Sequence, residues 1–201
     1  GNIAEGAGGP KAVKYGVTMH YVCGLEAVLP NGGIIQAGGK LGKNVTGYNL
    51  VQLLTGSEGT LAVITKIILR LIPKPKVQID LLVPYADFQQ AANSVSALLA
   101  ARITPACIEF MERDSLLAVE RLLGKEVPFR EAAAHLLIQL DGNSQAAVEA
   151  ERDVVGELCL QHGAIDMIVH RTRMRDTISR LLAKLTHQTL VPMDLPCAVG
   201  E

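Results

Sequence analysis

From residue 76 onward, the pattern of apolar and polar positions sets out a regular succession of elements. Residues 77–83 read as a strand, and residues 85–101 as a helix with apolar positions at helical spacing and Ala86 and Asp87 near its start. Residues 106–111 read as a strand, and Asp114 as the cap of a helix running to about Leu123. Residues 134–140 form a strand ended by Asp141-Gly142, and residues 144–162 a helix closed by Gly163. A strand over residues 164–169 and a last helix over roughly 173–187 complete the series. Two β-α-β units in tandem predict a ferredoxin-like sheet with added helices.

The first 75 residues follow another pattern, of short strands between glycine loops. Residues 21–30 are a β-like run ending in a turn at Asn31-Gly32-Gly33, where both central positions tolerate positive φ. Residues 34–37 are the returning strand, residues 50–54 a short helical turn, and residues 60–71 are β-branched enough to read as one or two strands. The fold class expected for the whole is α+β.

Composition divides the chain at the same place as the pattern. Residues 1–75 hold 14 of the 19 Gly and carry 7 Lys/Arg against 3 Asp/Glu. Residues 76–201 hold 5 Gly and carry 12 Lys/Arg against 17 Asp/Glu. The break falls at Pro73-Lys74-Pro75-Lys76, whose prolines disfavour helix and central strand alike and so read as an extended linker. With 201 residues, 49% hydrophobic and 19% charged, the chain can bury real cores and is not disordered.

Charge and cysteine usage narrow the functional classes. A net charge of −1 argues against a general nucleic-acid binder, and 3% aromatic residues with no Trp argue against a base-stacking surface. No apolar run reaches the roughly 18 residues needed to cross a bilayer, and the sequence opens with no recognisable secretory leader. Cys23, Cys107, Cys159 and Cys197 are widely spread, with no Cys-x-x-Cys pair, which suits buried thiols in a reducing compartment. His20, His135, His162, His170 and His187 show no ligand spacing, so no metal site is expected.

Candidate chemistry concentrates in two glycine-rich segments. Residues 1–10 contain Gly1, Gly6, Gly8 and Gly9, which let a backbone approach a flat or anionic group with its N–H groups free to donate. The stock phosphate motifs fail, because position 11 is Lys where a dinucleotide fingerprint needs Gly, and Gly39-Lys40 is followed by Leu41. The second segment is Gly56-Ser57-Glu58-Gly59-Thr60, leading into an apolar strand. Taken singly, the first reads equally as a chain-end loop and the second as a turn with a solvated Glu.

Six stretches in order carry a more specific signal: Gly1-Asn2-Ile3-Ala4-Glu5, Ala7-Gly8-Gly9-Pro10, Lys14-Tyr15-Gly16-Val17-Thr18, residues 24–32, Asn44-Val45-Thr46-Gly47-Tyr48-Asn49-Leu50, and residues 56–65. Together they resemble the FAD-linked oxidase family of the vanillyl-alcohol-oxidase fold, in the branch of the glycolate oxidase FAD-linked subunit and the D-lactate and D-2-hydroxyglutarate dehydrogenases. Residues 108–112 and 137–142 resemble that branch's cap-domain strands. The resemblance implies that residues 1–75 are the second half of a PCMH-type FAD-binding domain and residues 76–201 a ferredoxin-like cap, truncated before a later catalytic segment. On that reading the chain is an internal fragment, and its catalytic and metal-binding histidines are expected beyond its C-terminal end.

The resemblance also implies the cofactor and its contacts. FAD is expected along Ala7, Gly8 and Gly9 and against Gly56, Ser57, Glu58, Gly59 and Thr60, with Val63 and Ile64 continuing the wall. The implied reaction takes a 2-hydroxy acid, of glycolate or D-lactate type, and passes its hydride to flavin. The sequence departs from the family at Gly6, where an Asn is usual, and at Ala62, where a Gly is common. The branch's late Trp-x-x-Arg-Lys segment has no Trp here, leaving Arg180 and Lys184 as the substrate-binding candidates against a plain solvated helix face. An iron–sulfur electron-acceptor subunit, a homodimer and a cytoplasmic location, peripheral to the inner membrane, complete what the resemblance implies. Two other readings stay open: a ferredoxin-like binding or dimerisation module without redox chemistry, and an oxidase of the same fold acting on another alcohol.

Overall fold

The computed structural model describes residues 1–124 and 126–170. The chain forms two compact units, the first over Gly1–Lys74 and the second from Pro75 onward. The helix expected over residues 173–187 lies outside the described residues, as do Arg180 and Lys184.

The first unit is a three-stranded antiparallel sheet with short helices. Its strands are β1 (Val22–Val28), β2 (Ile34–Gly38) and β3 (Val63–Leu69), in the order β2-β1-β3. Leu25 and Ala27 on β1 face Ala37 and Ile35 across the β2 pairing, and bury against Val51 and Leu54 of α3 (Leu50–Leu54). Asn49 caps α3 by accepting from Gln52 N at 3.1 Å. The β1–β2 connection is longer than a two-residue hairpin, because Leu29 N bonds Gly33 O and the Asn31 side chain accepts from Gly33 N at 2.9 Å. Of the two expected positive-φ positions, only Gly32 adopts one, since the Asn31 side chain closes the other half of the turn. Residues 1–10 open with a helical turn, α1 (Asn2–Glu5), and α2 (Ala12–Tyr15) follows.

The second unit is a four-stranded, wholly antiparallel sheet in the order β5-β6-β4-β7. Its elements run β4 (Val77–Tyr85), α4 (Phe88–Ala100), β5 (Cys107–Glu112), α5 (Arg113–Leu123), β6 (Ala134–Gly142), α6 (Gln145–Gln161) and β7 (Ile168–His170). β4 and β5 run parallel with β6 between them, and β6 and β7 run parallel with β4 between them, as the antiparallel pairings require. Period-two alternation sends Ile79, Leu81, Val83 and Tyr85 of β4, with Ala134, Leu136, Ile138 and Leu140 of β6, into one core beneath α4 and α6. The opposite face has a smaller core of Leu82, Met111 and Leu137 beneath Leu116 of α5.

Three boundaries differ from the sequence reading for identifiable reasons. β6 continues through Asp141-Gly142, because the long β4 supplies pairing partners to its end, Val77 opposite Gly142. Asp114 sits inside the first turn of α5 rather than capping it, with Glu112 at the cap position and no side-chain cap bond. There it complements the helix dipole instead. The strand expected over residues 164–169 contracts to β7, with Ala164 making an isolated bridge to Tyr85. Asp87 caps α4, accepting from Gln89 N at 2.7 Å and Gln90 N at 3.2 Å, and Ser144 caps α6.

Candidate functional site

The two glycine-rich segments, some fifty residues apart in sequence, lie side by side in the first unit. Gly56 N donates to Ile3 O at 2.9 Å, and Glu58 N donates to Ala4 O at 2.8 Å. The backbones cross at Gly6 and Gly56, which have φ of 69° and 80°. A Cβ placed on Gly6 would lie 3.1 Å from Gly56 Cα, so a side chain there would press directly on backbone. Gly6, where the resemblance expected an Asn side-chain donor, is thus the contact point of the two segments. Sequence reasoning noted the substitution but not the crossing, which links residues too distant in sequence for any local pattern to register.

Each segment is fixed from behind. Ala7 is buried, its N–H donates to Asn2 O, and its carbonyl accepts from Thr18 N at 3.1 Å. The Tyr21 hydroxyl donates to Tyr15 O at 2.6 Å and holds the returning chain. On the other segment, Ser57 Oγ donates to Leu54 O at 2.8 Å and Thr60 Oγ1 donates to Ser57 O at 2.6 Å. Their hydroxyls are therefore turned inward onto backbone carbonyls. Glu58 takes a φ of 51°, an uncommon conformation for a residue with a side chain, and is exposed.

What remains open on this ridge is backbone. Among the described residues, the amides of Gly8, Gly9 and Gly59 have no hydrogen-bond acceptor. A Cβ on Gly59 would meet nothing within 4 Å. Ridges of this kind, with unpaired N–H groups and no side chains in the way, suit a flat or anionic ligand held by main-chain donors. The site residues of the sequence reading therefore divide. Gly56 and Glu58 pair with the first segment at Ile3, Ala4 and Gly6, while Ala7, Gly8 and Gly9 follow on that segment and Ser57, Gly59 and Thr60 on the other. Val63 and Ile64 lie on β3, with Val63 exposed and Ile64 packed against the core.

Elsewhere among the described residues no group of three or more His, Cys, Asp or Glu is placed to hold a metal ion. His135 is fully buried on β6, and burial holds its imidazole below the ordinary histidine range, with the Pro128 and Phe129 backbone pulling weakly the other way. No helix of the described residues is long and apolar enough to cross a membrane.

Comparison with known proteins adds a family and a length. Residues 74–189 match the family described as FAD linked oxidases, C-terminal domain. The chain is 43% identical over 172 residues to the glycolate oxidase subunit GlcD of Bacillus subtilis (strain 168), covering 86% of this chain and 36% of that protein. It is 40% identical over 177 residues to a D-lactate dehydrogenase of Anaerostipes hadrus, covering 86% of this chain and 37% of that protein. The chain thus spans little more than a third of the length of these relatives. Among solved structures, an alkyldihydroxyacetonephosphate synthase superposes with a TM-score of 0.70 at 16% identity, over 90% of this chain and 36% of that one, a likeness of fold.

Proposed function

The chain belongs to the FAD linked oxidases, and from that premise we propose that it is part of an FAD-dependent enzyme that oxidises a 2-hydroxy acid of glycolate or D-lactate type. The observation that carries this reading is the 43% and 40% identity to proteins named for those two acids. We assign residues 1–75 to the second half of a PCMH-type FAD-binding domain and residues 76–201 to a ferredoxin-like cap on the substrate side. The order β5-β6-β4-β7, with the β4–α4–β5 and β6–α6–β7 strand pairs each parallel around an inserted strand, supports the second assignment.

In this reading the crossed ridge holds part of the cofactor. The amides of Gly8, Gly9 and Gly59 donate to its oxygens, and the bare glycine surface admits its flat ring. Ser57 and Thr60 keep the ridge rigid through their inward hydroxyls, Gly6 and Gly56 set its crossing, and Ala7 is held from behind by Asn2 and Thr18. Flavin, when bound, supplies the two-electron acceptor for the hydride leaving C2 of the acid. Arg180 and Lys184 are the candidate contacts for the acid's carboxylate, on residue correspondence alone. An iron–sulfur subunit is the proposed electron acceptor, a role favoured by the naming of one relative as a subunit. A homodimer, in the cytoplasm and peripheral to the inner membrane, is the proposed setting.

A substrate panel on the full-length protein tests the reading. Glycolate, D-lactate, a phenol and a sugar lactone are offered with an artificial electron acceptor. Turnover of the 2-hydroxy acids alone is the expected result. Turnover of the phenol or the lactone alone would transfer the protein to another branch of the same fold. Folded full-length protein without flavin would end the redox reading.

A further inference from the structure

The connection between α5 and β6 closes over a side chain that nothing satisfies. His135 is fully buried on β6, and neither its Nδ1 nor its Nε2 has a hydrogen-bond partner. A neutral imidazole carries one donor and one acceptor, so both are left bare. Across the sheet His135 stands opposite Met111 of β5 and Pro84 of β4, at the margin of the smaller core. Residues 126–133 run over it as a strap. Val127 packs into that core with Met111, Leu116 and Leu137, and the Pro128 and Phe129 backbone comes beside the ring. Pro128 and Phe129 are themselves exposed, so solvent lies on the far side of the strap.

Polar contacts to α5 pin the strap down. Val127 N donates to Glu120 Oε1 at 2.6 Å, and Arg130 pairs with Glu120 at 3.5 Å. Arg113 pairs with Glu131 at 2.6 Å, and its N–H donates to Ala133 O at 3.2 Å. Within the strap Arg130 reaches Glu126 at 3.5 Å. The Arg113–Glu131 and Arg130–Glu126 pairs are exposed and so hold weakly. Phe129 takes a φ of 57°, an unfavourable conformation for a bulky residue, so the closed strap is strained beside the ring. The remaining charged groups nearby are Glu112, next to Met111, and Asp114 and Arg121 of α5, all exposed. β4 brings no charge next to Pro84, where its neighbours are Val83 and Tyr85. None of these groups bonds the imidazole.

We propose that residues 126–133 form an acid-released latch: when His135 takes up a proton from solvent, the strap opens and uncovers Met111, Leu116 and Leu137 while the main core stays closed. A protonated ring under the closed strap would hold a second bare N–H and a buried charge. Opening the strap brings water to both at the cost of a few weak contacts. The latch lies wholly within the second unit and does not depend on the redox reaction.

Amide hydrogen exchange read by mass spectrometry tests the latch on the full-length protein at about pH 7 and about pH 5, with each rate referred to that of an unstructured chain at the same pH. Carboxylates stay largely ionised over this range. The other four histidines titrate in it, so wild type is compared with His135→Leu. In wild type, protection of residues 126–133 is expected to fall about tenfold per unit below pH 6.5 while the closed ring stays neutral, up to about thirtyfold at pH 5. Peptides from β4 and α6 are expected to keep their protection. His135→Leu is expected to keep its strap protection at both pH values. His135→Gln, which takes up no proton either, serves if the Leu variant does not fold. Glu120→Gln is expected to loosen the strap at both pH values and to leave the wild-type ratio between them. An equal fall in the Leu or Gln variant of His135 would overturn the latch. A ratio lost in Glu120→Gln would overturn it as well, by assigning the effect to that carboxylate. So would a fall of equal size in β4 and α6, because the whole unit would then open rather than the strap.

Discussion

Three glycines of the proposed cofactor ridge share nearly the same positive φ but differ in the room around them, which makes them a graded test of the crossing. Gly6, Gly56 and Gly59 have φ of 69°, 80° and 78°. Alanine in this region costs about 1–2 kcal/mol, and the stiffer unfolded chain returns about 0.4–1 kcal/mol. Gly59→Ala meets no protein atom within 4 Å, and Gly56→Ala meets Gly6 Cα at an ordinary 3.7 Å. Both are therefore expected to cost about 1 kcal/mol or less. Gly6→Ala puts its Cβ 3.1 Å from Gly56 Cα, a backbone atom that cannot rotate away. Overpacking of that kind adds roughly 1–3 kcal/mol, for a total of about 1–4 kcal/mol. Urea unfolding followed by circular dichroism gives the order of midpoints, with Gly6→Ala lowest. Flavin content, read from the visible spectrum after dialysis, gives a different order. Gly59→Ala, nearly harmless to stability, fills the open space assigned to the cofactor and is expected to weaken FAD binding about tenfold, equivalent to ~1.4 kcal/mol. If Gly6→Ala is no more destabilising than Gly59→Ala, the two segments do not cross as described. If Gly59→Ala retains flavin like wild type, the cofactor does not lie against that residue.

Other consequences follow from single contacts. Asp87→Ala removes both amide bonds of the α4 cap and is expected to lower stability by about 1 kcal/mol, measured by urea unfolding, whereas Asp87→Asn or Asp87→Ser keeps most of it. Leu81, fully buried between the two helices and the sheet, is expected to cost about 3–5 kcal/mol as Leu81→Ala, with the unfolding midpoint as readout. His135 sets a pH dependence. Its folded pKa lies below the ordinary 6.5, so below that pH the unfolded chain binds a proton the folded one resists. Stability is expected to be level with respect to this group above about pH 6.5 and to fall as pH drops through it. His135→Leu should flatten that part of the stability profile, and an unchanged profile would show that another group titrates there.

Much of the second unit was legible because burial and periodicity agree in it. β4 and β6 are apolar on alternate residues over nine positions each, and Asp87, Ser144 and Gly163 mark helix ends by chemistry that acts within a few residues. The misread ends are those decided at a distance. β6 outruns its Asp-Gly turn signal because β4 is long enough to pair with it, and the segment before β7 touches Tyr85 at one bridge only. In the first unit the hairpin was legible from Asn31-Gly32, but its turn type was not, since the Asn31 side chain substituted for a second left-handed residue. The glycine segments stood out singly as loops. Their meeting at Gly6 and Gly56 is a tertiary contact between small residues, which leave no periodic trace. The same holds for Gln139 and Asp80, whose polarity was visible on their strands while the hydrogen bond between them depended on the β4–β6 register.

The central claim, hydride transfer from a 2-hydroxy acid to flavin in the full-length protein, is tested most directly by anaerobic rapid mixing. Full-length flavoprotein is mixed with D-lactate or glycolate and the visible flavin band is followed, using acid carrying hydrogen or deuterium at C2. The account predicts bleaching of the band, slowed severalfold by deuterium because the C2 bond breaks as the flavin is reduced. A band that persists with both acids while an artificial reductant bleaches it would contradict the claim.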